Sequence, residues 1–122
     1  MIKLFLTLLI TLFLTSTVYA FSGTVILHYE EPTTNVNGTA LDNLDHISIY
    51  YFKDNAPVKA MDIPATKPTG GGKNLTATVP FTVADNIVNI SFFATALNSA
   101  GVESYRSTII KKPVVKAVGG GL

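Results

Sequence analysis

Residues able to do chemistry are few in this sequence. His28 and His46 are the only histidines and there is no cysteine, whereas a zinc site takes three or four side-chain ligands. Both histidines fall on outward positions and read as surface residues. Serine, histidine and aspartate are all present, but no serine sits in a nucleophile elbow or another strained turn that would activate it. Glu30 and Glu31 are adjacent, and neighbours on a strand point to opposite faces. They are therefore not a paired acid and base, and both are expected to be solvated at a strand end. Asn35, Asn37, Gly38, Asp42 and Asp45 supply oxygen donors, yet the D-x-[DN]-x-[DN]-G run and closing Glu of a calcium loop are missing, so they read as turn formers. Gly70-Gly71-Gly72-Lys73 lacks the spacing and flanks of a phosphate loop and reads as a flexible loop. No catalytic residue, metal site or cofactor is expected, and the chain is read as not an enzyme.

The elements that would position any site begin after the N-terminus. Lys3 followed by the apolar Leu4–Leu14 and then Val18-Tyr19-Ala20 has the three-part layout of a secretory signal over residues 1–20. The competing reading is a membrane anchor, because Leu4 to Phe21 is just long enough to span a bilayer. A mature chain from Phe21 is one domain, here residues 21–118 with a glycine-rich tail at 119–122. Without Lys3 it has eight basic and eight acidic residues. That balance lacks the basic face of a nucleic-acid binder, and with no disulfide available the domain depends on its hydrophobic core.

Period-two alternation predicts strands at Thr24–Tyr29, His46–Phe52, Leu75–Val83, Ile87–Leu97 and Tyr105–Lys112, with Val114–Val118 as an extension. A short edge strand fits Val58–Ile63, and Pro80 argues for an edge position or a bulge. Pro32–Asp45, most of Lys53–Asn74 and Asn98–Gly101 read as loops and turns. No helical stripe follows the first 20 residues. Several short strands separated by turns point to a sandwich or a barrel.

Two stretches go further. YEEPTTNVNGTALDNLDHISIYY (Tyr29–Tyr51) and FFATALNSAGVES (Phe92–Ser104) resemble strands B–C and the strand F–G turn of bacterial and phage fibronectin type III domains. The resemblance covers about Gly23 to Val118. It implies an all-β, antiparallel, two-sheet immunoglobulin-like sandwich, with Tyr29 at the core tryptophan position, Ile47, Ile49 and Tyr51 inward on strand C, and Phe92, Ala94 and Ala96 inward on strand F. The chain departs from that pattern in three places. Tyr29 replaces the tryptophan, Ile90 replaces the tyrosine of the tyrosine corner, and only Phe21, Ser22 and Gly23 remain before strand B, too few for strand A. An unpaired edge on strand B would invite pairing with another chain. Val114–Val118 or a second chain is expected to cover it, unless a shortened sandwich tolerates the gap.

In this register Tyr50, Phe52, Phe93 and Leu97 point outward from neighbouring strands, a candidate contact surface unless the Lys53–Asn74 loop or the tail covers them. The expected function is an exported binding or structural module acting through protein or glycan contacts, or through self-association. Secreted, periplasmic, cell-surface and virion settings all fit, and membrane attachment requires the N-terminal segment to be retained. The alternative is an assembly subunit of a virion or surface structure that uses edge-strand pairing or the anchor. An enzyme accessory role is weaker, since no catalytic domain shares the sequence.

Overall fold

The computed structural model describes residues 19–116. Apart from Tyr19 and Ala20, the proposed signal lies outside the described residues, as does the glycine tail. The described residues contain no helix. They form β1 (Ala20–Tyr29), β2 (Leu44–Lys53), β3 (Ala56–Pro64), β4 (Leu75–Ala84), β5 (Asn89–Asn98) and β6 (Ile110–Pro113). These make two antiparallel sheets, β1-β4 and β3-β2-β5-β6, which face one another as a β-sandwich.

Alternation decides which side chains enter the core. Val25 and Leu27 of β1, Ala77, Val79, Phe81 and Val83 of β4, Ile47, Ile49 and Tyr51 of β2, and Ile90 and Phe92 of β5 all face inward. Phe92 and Val79 are fully buried. Each large side chain in this set contributes roughly 1.5–3 kcal/mol. Tyr29, expected at the core anchor, is half-buried against the cluster. Burial, with the Glu31 charge adding, pushes its phenol above the usual range. Tyr51 reaches across the sandwich: its hydroxyl donates to the Thr82 carbonyl at 3.3 Å and accepts from the Thr82 N–H at 3.2 Å.

Several element boundaries differ from the sequence expectation. β1 starts at Ala20 rather than Thr24, so Phe21–Gly23 belong to this strand itself, paired with Phe81–Val83 of β4. β3 is longer than Val58–Ile63 because Asp54 and Asn55 adopt left-handed φ of 53° and 64°. Two such residues make the tight turn that matches strand twist, and pairing resumes at once with Lys53↔Ala56. β6 is shorter than Tyr105–Lys112. The chain from Ser104 to Ser107 follows β5 through serine hydroxyls: Ser104 and Ser107 donate their N–H to the Ala96 and Ala94 carbonyls, and their Oγ atoms accept the Ala96 and Ala94 N–H, all at 2.8 Å. Three residues here span two of β5, so no regular ladder forms. Pro80 lies on β4, an edge strand of its sheet.

Glu31 corrects the expectation of a solvated pair. Glu30 is exposed, but Glu31 is 5% exposed. Its carboxylate accepts from the Thr66 N–H and hydroxyl and from the Gly72 N–H, while its own N–H donates to the Gly72 carbonyl. The triglycine is packed against this carboxylate rather than loose. Gly70 is buried with φ of 64°, and a Cβ there would lie 2.1 Å from the Pro32 carbonyl, so only glycine fits. Burial pushes the Glu31 carboxyl up, but the bonds from Thr66 and Gly72, with Lys67 nearby, outweigh it and hold the group below its ordinary value.

Glu31→Ala leaves the Thr66 and Gly72 N–H groups without a partner, and should cost about 3 kcal/mol, or roughly 15 °C in Tm. Because the folded carboxyl is depressed, its stabilisation is present above pH 4.5 and lost as pH falls through the folded value. Urea unfolding at several pH values should show the native protein weakening below pH 4.5 more steeply than Glu31→Gln.

Candidate functional site

The outer face of the four-stranded sheet holds most of the polar side chains that meet one another. Ser48 pairs in register with Asp62 on β3 and Thr95 on β5, which draws a row across the sheet with a carboxylate at each end. Ser48 Oγ donates to Asp62 Oδ1 at 2.6 Å, and Thr95 Oγ1 donates to Glu103 Oε2 at 2.8 Å. Tyr50 Oη donates to the same Glu103 oxygen at 3.2 Å. The Ser48 hydroxyl, against a smaller push from burial, holds the Asp62 carboxyl below its usual range, helped by Lys59 and His46. Burial, followed by the Glu103 charge, raises the Tyr50 phenol.

Serine, histidine and aspartate do meet here, but in an order that serves pairing. His46 Nδ1 lies 2.6 Å from Asp45, and its Nε2 is 3.7 Å from Asp62 Oδ1. A nucleophilic serine must pass its proton to histidine. Ser48 instead bonds to the carboxylate and is fully buried. Among the described residues no cluster of three metal-ligating side chains occurs. The amides of the 35–40 turn are turned on the turn itself: Asn37 Oδ1 accepts from the Thr39 N–H and hydroxyl, and the Asn35 side chain donates to Thr39 and the Ala40 carbonyl.

Tyr50, Phe52, Phe93 and Leu97 share this outer face. Tyr50 and Phe93 are directly paired, with rings stacked at 5.0 Å and 3°, and Phe52 tilts against Phe93 at 5.4 Å. Arg106 reaches Phe93 from the opposite side of β5, its guanidinium 4.4 Å from the ring centre. Phe93 is consequently only 4% exposed, while Tyr50, Phe52 and Leu97 are half-buried. Among the described residues this cover comes from Glu103–Arg106 rather than the Lys53–Asn74 loop, and the tail lies outside the described residues. Two serines three residues apart, which anchor that cover, were the available sequence signal.

The other notable surface is the free edge of β1. Three sheet edges carry features that discourage pairing. β3 has Pro57, Lys59, Asp62 and Pro64, and its pairing is irregular between Ile49 and Tyr50. β4 has Pro80, and Tyr51 occupies the outward N–H and carbonyl of Thr82. β6 has Lys111, Lys112 and Pro113. β1 runs ten residues without Lys, Arg, Asp, Glu or Pro, and among the described residues its only partner is β4. Val114 and Val115, expected as cover, do not pair with it. Val114 donates to the Val88 carbonyl, and Lys116 bonds the Asp85 carbonyl with its ammonium 5.1 Å from the Phe21 ring, so this segment crosses the Phe21 end of the sandwich. Residues 117–118 lie outside the described residues.

Strand parity shows which β1 groups are free. Thr82 turns its N–H and carbonyl to Tyr51, away from β1, so Ser22↔Thr82 is a non-hydrogen-bonded pair. Its close side chains, bonded Oγ to Oγ1 at 2.9 Å, agree. Alternation then directs the N–H and carbonyl groups of Ser22, Thr24, Ile26 and His28 to the open edge. Beside that edge a groove of about 360 Å³ runs between the sheets, lined by Leu27, Tyr29, Phe92, Ala94, Ala96 and Ile110 among others.

No family model, characterised protein or solved structure matches the chain.

Phe93→Ala should destabilise by about 3 kcal/mol, since it empties a buried ring site, whereas Phe52→Ser at the half-exposed position should cost under about 1 kcal/mol. Urea titrations of the two variants check the contrast. Equal costs would place both rings at the surface.

Proposed function

We propose that the chain is an exported, non-enzymatic binding or structural module of the bacterial and phage fibronectin type III kind, acting through protein contacts at the cell envelope or surface. The strand order supports the family reading. With β1, β2, β4, β5 and β6 taken as strands B, C, E, F and G, the pairings B–E and C–F–G are those of an immunoglobulin-like sandwich. The signal layout of residues 1–20 supports export. Cleavage after Ala20 would remove only the first pair of the β1–β4 ladder, Ala20↔Ala84, and the bond from the Asp85 N–H to the Tyr19 carbonyl.

The observation that carries the contact role is the β1 edge, which among the described residues is open and carries none of the guards of the other three edges. A domain that hydrogen-bonds its clustered polar side chains internally retains its surface as the means of recognition. The same edge also serves the second reading, an assembly subunit of a virion or surface structure. The half-buried Tyr50, Phe52 and Leu97, which flank the covered Phe93 on the outer face, are the other contact surface of this proposal.

A photo-crosslinking residue placed at Ile26 or at Phe52, in the full chain expressed in its native setting, should give a discrete heavier adduct from at least one position. The recovered protein should begin at Phe21. No adduct from either site would defeat the contact role, and an intact Met1 would defeat cleavage.

A further inference from the structure

We infer that the β1 edge receives one extended segment of another polypeptide, uncharged and apolar at every second residue, as a third strand of the two-stranded sheet. This rests on the contact-module reading and names its ligand. Ser22, Thr24, Ile26 and His28 present backbone donors and acceptors to a side that is open among the described residues, and the intersheet groove adjoins the Leu27–Glu30 end of this edge. Strand addition satisfies the backbone groups, while alternate side chains of the incoming segment enter the groove. Its floor includes the small residues Ala94 and Ala96, and Glu30, at one end, is its only formally charged side chain. Its volume, about 360 Å³, is more than twice the ~150 Å³ that holds a benzene ring, which suits aliphatic side chains.

The layout of the two sheets selects a single strand over a second folded copy. β4 packs against β3 and β2, so β1 lies over β2 and β5, and its free edge looks out over β5 and the 104–110 segment. Two β1 strands paired antiparallel would be related by a twofold axis normal to their sheet, which keeps both inner faces on the same side. The four-stranded sheet of the second copy would then occupy the space already filled by β5 and residues 104–110 of the first. A lone extended segment, which brings no sheet beneath it, meets no such obstacle. Strands in one sheet sit about 4.8 Å apart, so the first position beyond β1 falls over the groove.

The probe is a synthetic peptide of about 12 residues alternating threonine and valine, with a lysine at each end, added to the full chain while amide exchange is followed residue by residue. Exchange at Ser22, Thr24, Ile26 and His28 should slow at least tenfold. Val25 and Leu27, already bonded to β4, should change little. Ile26→Pro removes an N–H that the fold does not use, and should keep the fold and abolish the protection. Should that variant fail to fold, Ala94→Leu, which fills the groove from its floor, should weaken the protection at least tenfold. Absence of protection by the peptide, equal protection by a threonine–glutamate peptide, or protection that survives both variants would overturn the proposal. So would a dimer in sedimentation that Ile26→Pro dissolves, since the occupant would then be a second copy. Crosslinks from Phe52 alongside a silent peptide titration would remove strand addition and leave the contact module standing.

Discussion

Backbone hydrogen bonding across a two-stranded sheet that faces a four-stranded one is the constraint on which the structure depends. Every buried N–H and carbonyl must find a partner, and a sheet of two strands has two edges and no interior. β4 solves its side of the problem with Pro80, which has no N–H to leave unpaired, and with the Tyr51 hydroxyl, which binds both backbone groups of Thr82. β1 has no such device over its ten residues. The core nevertheless closes, because Val79, Phe81 and Val83 from the small sheet meet Ile49, Tyr51 and Phe92 from the large one, and the apolar area so buried holds the sheets together.

The polar side chains contribute by fixing register. Ser48 links β2 to Asp62 on β3, Thr95 links β5 to Glu103, and Ser104 and Ser107 bind the Ala94 and Ala96 amides where the last segment departs from a regular strand. Glu31 does the same at the end of β1, holding the chain near Thr66 and Gly72. Of these, Ser48, Thr95 and Glu31 are buried as well as bonded, and a group held in this way is costly to free for other chemistry.

Much of the fold was legible from local pattern. The alternations at Thr24–Tyr29, His46–Phe52 and Leu75–Val83 each lie within an observed strand, because a strand's two faces are decided by residues two apart, whereas the expected Ile87–Leu97 strand begins only at Asn89. The outward direction of Tyr50, Phe52, Phe93 and Leu97 followed from the same period. What local pattern could not supply was cover. Phe93 is buried because Arg106 arrives from a segment along the far side of β5, and Glu31 is buried because Thr66 and Gly72 come from 35 and 41 residues away. The Asp54-Asn55 turn escaped notice because it lacks the glycine usual in a two-residue hairpin.

By itself the sequence determined the class of structure. Period-two alternation, turn residues and the absence of a helical stripe dictate strands, and strands with one apolar face must stack in pairs of sheets. Only the tertiary structure decided which edge is open among the described residues. Edge and interior are properties of strand order, and order is set by which distant strands pair, with β1 joining β4 and β2 lying between β3 and β5. No window of neighbouring residues carries that information. The amides of Ser22, Thr24, Ile26 and His28, unpaired among the described residues, and the groove at the Leu27–Glu30 end of β1 exist only once those pairings are made.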